Sequence, residues 1–277
     1  MPTLAERLGY GAEDRLLILN CDDLGFCHSA NEGVYEALGQ GLGTSASLMV
    51  PCPWAAEAAG RYDGEDVGVH LTVTSEWEVY RWGPITPSLS LVDNQGRFPQ
   101  TVEAVIGRAD VDEVRRECRA QVDQALAWGI DVTHLDAHMG TVQTNPDLFE
   151  VYLELAAAYR LPLRLSGAET EAVLGFPFRA PAAERGVVFP DHFVYVPGVG
   201  SRPVLLDIVP KLRTGVTEAY LHPAVDSPEL RAAAPDWMRR VDDHQLLVHD
   251  QEFQRTLETH GVQLVGWRAL RECMRAG

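Results

Sequence analysis

The sequence is short of positive charge. Lysine and arginine together number 23 against 40 aspartates and glutamates, so the formal net charge is -17 over 277 residues. A surface of that sign repels phosphate backbones, and no nucleic-acid partner is expected. Long apolar runs are also missing. None approaches the ~20 residues that span a bilayer, so no membrane partner is expected. The opening segment MPTLAERLGYGAEDR lacks the basic-then-apolar pattern of a secretory leader. Cysteine is sparse. Cys21, Cys27, Cys52, Cys118 and Cys273 are scattered, odd in number and never spaced as CxxC. That argues against a disulfide framework and predicts a reducing, cytoplasmic setting. No internal repeat, low-complexity tract or linker breaks the chain, which predicts a single domain over residues 1–277.

What is present is an ordinary globular composition, 46% hydrophobic and 23% charged. Short apolar runs alternate with longer amphipathic stretches. Strands are predicted at 16–20 (LLILN), 44–50 (TSASLMV), 66–74 (DVGVHLTVT), 132–136 (VTHLD), 161–165, 216–221 and 262–265. Helices are predicted at 31–38, 53–61, 111–128 (ending at Gly129) and 145–159, the last with Pro146 in its first turn. Strands alternating with helices form parallel βαβ units. About seven such units favour a distorted TIM-barrel-like α/β barrel over a small open sheet. Two stretches break the rhythm. Residues 75–105, rich in Pro, Gly and Trp, read as a long loop over one face, and 175–203 reads as irregular.

Titratable residues recur at the C-terminal ends of the predicted strands. Asp22 and Asp23 follow LLILNC, and His70 lies in VGVHLTV. His134, Asp136 and His138 lie in VTHLDAH, Arg164 lies in LPLRLSG, and His222 ends AYLH. In a parallel barrel all those ends open onto one face, so residues distant in the chain converge there. A lone strand histidine is usually a hydrogen-bonded core residue, and an Asp-Asp pair is usually a turn or cap. Their joint placement outweighs both readings. Two imidazoles and one carboxylate, from Asp23, His70 and His138, suit Zn²⁺ or another first-row divalent ion. Mg²⁺ prefers an all-oxygen shell but stays open. On an extended strand His134, Asp136 and His138 share a face.

The ordered segments LLILNCDDLGFCHSANEGVYEAL, GTSASLMV, VGVHLTVT, THLDAH and YLHPA resemble the YdjC/ChbG family of carbohydrate deacetylases, from about Leu16 to Pro223. The resemblance implies a barrel-like α/β fold and one divalent metal ion. It also implies hydrolysis of the acetamide of an N-acetylglucosamine-type sugar. The family's NADDFG motif falls on Asn20–Gly25. Asp23 would then be a metal ligand and Asp22 the general base. The family's GxH motif falls on His70, and the last histidine of HxDSH on His138. The histidine of CHP falls on His222, a general acid. Cys21 and Leu24 depart from the motif, and Met139-Gly140-Thr141 replaces the further histidines common after HxDSH. The metal triad is intact, while sugar preference stays open. Family members often form dimers, so a homodimer is expected from the resemblance.

Several residues carry a second-tier reading. Arg164 is read as holding the Asp22 carboxylate through charge-assisted bonds. His134 and Asp136 are read as supporting residues that orient a ligand, with a core role as the alternative. Trp77, Tyr80 and Trp82 follow His70 and either stack on sugar or pin their loop. Cys27 and His28 read as packing and helix-entry residues, and Cys118 and Cys273 as ordinary thiols. Two other functions compete with the leading one. One is a metal-dependent amidohydrolase acting on a non-sugar amide. The other is a catalytically silent sugar-binding protein, for which Asp22 and His222 would be superfluous.

Overall fold

A computed structural model describes residues 2–196 and 200–277. Seven parallel strands form its sheet: β1 Arg15–Leu24, β2 Ser45–Leu48, β3 Val67–Leu71, β4 Leu135–Ala137, β5 His192–Val194, β6 Gly215–Leu221 and β7 Val262–Leu264. The order across the sheet is β4-β3-β2-β1-β6-β5. β1 is the axis. It pairs with β6 from Arg15 to Cys21. Its other edge is shared, with β7 alongside Arg15–Leu17 and β2 alongside the upper half. Nearly every residue of β1 is buried, because helices cover one side and the barrel interior lies on the other.

The helices follow local rules. Asp110 caps Val111–Ala127 by accepting from the N–H groups of Asp112 and Glu113. Asn145 caps Pro146–Tyr159 in the same way, with proline in the first turn. The helix at 31–38 starts earlier than its apolar pattern indicates, running His28–Gln40.

Two expectations fail on the side of the barrel between β4 and β5. Residues 161–165 make a single bridge, Leu163 opposite Leu135, rather than a strand. Pro162 has no N–H to give the ladder, and the Leu163 N–H goes to the Val188 carbonyl at 3.0 Å. The segment therefore joins β4 to the chain leading into β5, and the barrel is distorted there. Residues 175–203 are not wholly irregular. They contain helix Arg179–Glu184 and β5, whose three half-buried residues show no readable alternation.

The interior is layered. Leu16, Ile18, Val216, Val265 and Trp267 fill the bottom as one apolar cluster. Further along the same faces of β1 and β6 come Asn20, Asp22, Glu218 and Tyr220. One strand face thus turns from apolar to polar between Ile18 and Asn20. His134 belongs to the bottom layer, its ring stacked on Trp267 at 4.6 Å and 9°. Gly68 makes room for it, since a Cβ there would lie 2.4 Å from the His134 ring and 2.6 Å from its carbonyl oxygen. We expect Gly68→Ala to lower stability by about 1–3 kcal/mol through overpacking. Gly60→Ala, in helix Ala55–Arg61 with nothing near its Cβ, should be neutral or stabilising. Urea unfolding of both variants checks the contrast.

Candidate metal centre

The pleat of a regular strand would send Asp22 and Asp23 to opposite faces. The structure avoids this with a bulge. Cys21 pairs with Ala46 and Leu24 with Leu48, so three steps on β1 match two on β2. Asp23 takes up the extra residue with a left-handed φ of 64°, which is costly for a non-glycine residue. Both carboxylates consequently reach the mouth. His70 sits near the end of β3. His138 directly follows β4, where left-handed Met139 and Gly140 turn the chain away.

Asp23 Oδ1, His70 Nε2 and His138 Nδ1 form a nearly equilateral triangle. Its sides are 3.4 Å from Asp23 to each histidine and 3.3 Å between the histidines. Three donors at ~2.1 Å from one tetrahedral ion would stand about 3.4 Å apart. The far atom of each group is already held. Arg240 Nη1 donates to Asp23 Oδ2 at 2.8 Å. His70 Nδ1 donates to Asp136 Oδ1 at 2.7 Å, and His138 Nε2 to Glu76 Oε2 at 2.9 Å. These carboxylates fix each imidazole's orientation and leave its other nitrogen facing the shared point, where a metal ion would take the place of a proton. Asp23 Oδ1 is buried and accepts no bond among the described residues. The donor set fits a divalent ion.

The electrostatics agree. Burial opposes ionisation of Asp23, but Arg240 and His222 outweigh it and hold the carboxyl well below its usual range. Burial presses on His138 too, yet Glu76 and Asp23 raise it to about 10. His70 is also raised, with Asp136 overcoming desolvation. The donors draw positive charge toward the point they share. Asp22, His70 and Asp136 form a second close group, but a cation is already there. Arg164 Nη1 lies 2.6 Å from Asp22 Oδ2 and 3.0 Å from Asp136 Oδ2.

Asp22 is clamped. Arg164 Nη1 and Nη2 donate to its two oxygens at 2.6 and 2.7 Å, and Asn20 Nδ2 adds a bond to Oδ1 at 2.8 Å. Arg164 Nε also donates to Glu218 Oε1 at 2.8 Å. Burial pushes Glu218 up to about 7 despite that bond. His222 follows β6, its backbone N–H held by Asp243 Oδ2 at 2.9 Å. Its Nε2 stands 3.9 Å from Asp23 Oδ2. Burial lowers its pKa, with Asp23 opposing. The side chain retains 17% exposure, enough to meet a ligand from the mouth.

The structure therefore brings Asp22, Asp23, His70, His138, Arg164 and His222 to one mouth, with Asp136 behind His70. His134 is different. It touches none of the three donors and lies 3.9 Å from Asp136, one layer down. It is a packing residue, not one that orients a ligand. Trp77, Tyr80 and Trp82 pin their loop. All three rings meet Phe26 edge-on, the Tyr80 hydroxyl donates to the Phe26 carbonyl, and Trp82 Nε1 donates to the Thr74 carbonyl. Cys27 and Cys118 are buried, and His28 opens its helix against Trp54.

Sequence reasoning missed Arg240, Glu76, Glu218 and Asp243. Glu218 had a signal, since it is a charged residue inside the strand GVTEAYL and alternates with Tyr220 and, just beyond the strand, His222. Glu76 follows His70 closely. Arg240 and Asp243 lie on helix Trp237–His249, whose pattern reads only as amphipathic.

The fold and the site together define a (β/α)-barrel protein with a candidate single-metal centre at the barrel mouth. The model of the YdjC-like protein family matches residues 16–259, and the chain belongs to that family. It is 43% identical over 279 residues to a carbohydrate deacetylase of Thermus thermophilus, covering 98% of this chain and 99% of that one. It is 32% identical to a carbohydrate deacetylase of Geobacillus stearothermophilus, covering 92% and 97%. Among solved structures it is similar to an Enterococcus faecalis protein described as a cellobiose-phosphate cleavage protein. That match has a TM-score of 0.80 and 28% identity, covering 93% of this chain and 99% of that one. No helix of the described residues is long and apolar enough to cross a membrane.

Titration with Zn²⁺, followed by calorimetry, should give one tight site. Asp23→Ala, His70→Ala and His138→Ala should each abolish it. Asp136→Asn and Glu76→Gln should weaken it about 10- to 100-fold. Full affinity in any of the three alanine variants would contradict the assignment.

His134 sets a separate expectation. Burial presses its pKa to about 3, whereas the unfolded chain takes up that proton near ~6.5. Between those values the unfolded state binds more protons, so stability is lost as pH falls through the unfolded pKa. The other titrating groups are common to both proteins, so between pH 7.5 and pH 5 the urea midpoint of wild type should fall relative to that of His134→Gln. Equal slopes would rule this out.

Proposed function

We propose that the chain is a metal-dependent carbohydrate deacetylase that hydrolyses the acetamide of an N-acetylated amino sugar. The observation that carries this reading is the donor triangle of Asp23, His70 and His138, flanked by a clamped carboxylate and a partly exposed histidine. The names of the relatives in Thermus and Geobacillus support the substrate class.

A divalent ion held by the triangle would polarise the amide carbonyl and make water a stronger acid. The rest of the chemistry belongs to side chains. Arg164 fixes both oxygens of Asp22, so the carboxylate cannot rotate away. Oδ2 takes one bond, from Arg164, and keeps a second lone pair for the proton of the attacking water. As the tetrahedral centre collapses, nitrogen leaves and needs a proton. His222, across the Asp23 carboxylate, donates it. Asp243 anchors the His222 backbone and so sets where the ring stands.

The Enterococcus protein's name points to a glycosidic or phosphate bond instead. Glycoside hydrolysis needs a protonated carboxylic acid beside a second carboxylate. Asp23 is held well below the usual range and Asp22 is tied bidentately to arginine. Glu218 is raised to about 7 but is fully buried against Arg164, so none of the three is set up as that acid, which favours amide cleavage.

Asp22→Asn should lower kcat by about 10²- to 10⁴-fold while zinc binding stays within a few-fold of wild type. His222→Asn should lower kcat over the same range. Acetate release from N-acetylglucosamine, measured beside metal content, is the test. Near-normal turnover in Asp22→Asn would remove the base from the scheme.

A further inference from the structure

A second group of aromatic rings lies at the mouth, apart from the loop that Trp77, Tyr80 and Trp82 pin. β5 and β6 pair with Phe193 opposite Glu218 and Val194 opposite Ala219. That register sets Tyr195 level with Tyr220. Phe193 and Tyr220 stack at 5.7 Å and 9°. Tyr195 leans on Tyr220 at 6.3 Å and 53°, and Tyr220 meets His222 edge-on at 5.6 Å and 89°. On the inner side, the Arg164 guanidinium lies 5.4 Å from the Tyr220 ring centre. The row therefore starts beside His222 and Arg164 and runs outward.

The outer ring is the unusual one. Tyr195 is 71% exposed, among the few large apolar or aromatic side chains left in water. It has no packing role comparable to Trp82, which is buried and hydrogen-bonded. Tyr220 reaches the Val196 carbonyl with its hydroxyl at 3.4 Å, which fixes its ring as a wall.

We propose that Tyr195 and Tyr220 form a carbohydrate platform, with Tyr195 carrying the sugar unit next to the one deacetylated. This rests on the deacetylase reading of the same mouth. A pyranose ring presents a flat face of C–H groups with its hydroxyls around the rim. A tyrosine ring covers that face while its polar tip stays wet. Tyr220, adjacent to His222, lines the reacting unit. Tyr195 stands one ring further out, where only a substrate of two or more units reaches. The residue is a specificity determinant for chain length and takes no part in proton transfer.

The experiment compares wild type, Tyr195→Ala and Tyr195→Phe on N-acetylglucosamine and its β-1,4-linked dimer. The readouts are kcat/KM by acetate release and calorimetric binding in the Asp22→Asn background. In Tyr195→Ala the dimer-to-monomer ratio of kcat/KM should fall about three- to tenfold, mostly through KM. Tyr195→Phe keeps the ring and should keep the ratio. An unchanged ratio in Tyr195→Ala, or an equal loss in Tyr195→Phe, overturns the platform. Absence of acetate release from both sugars by wild type overturns the deacetylase reading instead. Binding then decides the platform alone. It stands if the dimer binds more tightly than the monomer and Tyr195→Ala removes the difference. It falls if the two sugars bind equally or not at all.

Discussion

The site depends on one break in a pleat. Adjacent strand residues point to opposite faces, yet Asp22 and Asp23 both reach the barrel mouth. The bulge between Cys21 and Leu24 and the left-handed φ of Asp23 achieve this. The strained backbone is held by its surroundings. β6 anchors the strand up to Cys21, and the Met49 N–H closes on the Leu24 carbonyl just beyond. Arg240 grips the Asp23 side chain from a helix far along the chain. Without the bulge, one carboxylate would face the helical layer, and Asp22 and the donor triangle could not share the mouth.

Two adjacent buried carboxylates also need compensating charge, because an unpaired buried ion costs several kcal/mol. Each aspartate has its own arginine. Arg164 serves Asp22 and Arg240 serves Asp23, and each guanidinium also meets aromatic rings. The pairings divide the work. Arg164 takes both oxygens of Asp22, and Asn20 adds a third bond. Arg240 takes one oxygen of Asp23 and leaves the other bare and aimed at the two imidazoles. Arg164 faces Asp22, Asp136 and Glu218 together, one positive charge among three acids. Burial raises the pKa of Glu218 in that group, with Asp136 adding to the shift and Arg164 opposing it.

Much of this was readable from the chain. In parallel strands with both faces covered, the apolar runs stand out, and charged residues at their ends have no packing reason to be there. That reasoning singled out Asp22, Asp23, His70, His138, Arg164 and His222, whose side chains converge in the structure. It also erred in recognisable ways. His134 shares a strand face with Asp136 and His138, and alternation cannot tell depth along the barrel axis. Trp267, from the last helix, decides that His134 lies in the bottom layer. The segment at 161–165 looked like a strand because its residues are apolar, but Pro162 removes a donor. β5 was invisible because three residues are too few for a pattern.

The sequence by itself determined the barrel class, the polar strand ends and the motif-bearing residues. Those follow from local periodicity and from residue chemistry. Tertiary structure alone decided that Arg240 holds Asp23, which carboxylate supports which histidine, and which aromatic rings stay open to solvent. Arg240 lies 217 positions from Asp23, and Tyr195 acquires its place only through β5 pairing with β6. Partners so distant in the chain are set by how elements pack, and packing leaves no periodic trace in the residues themselves.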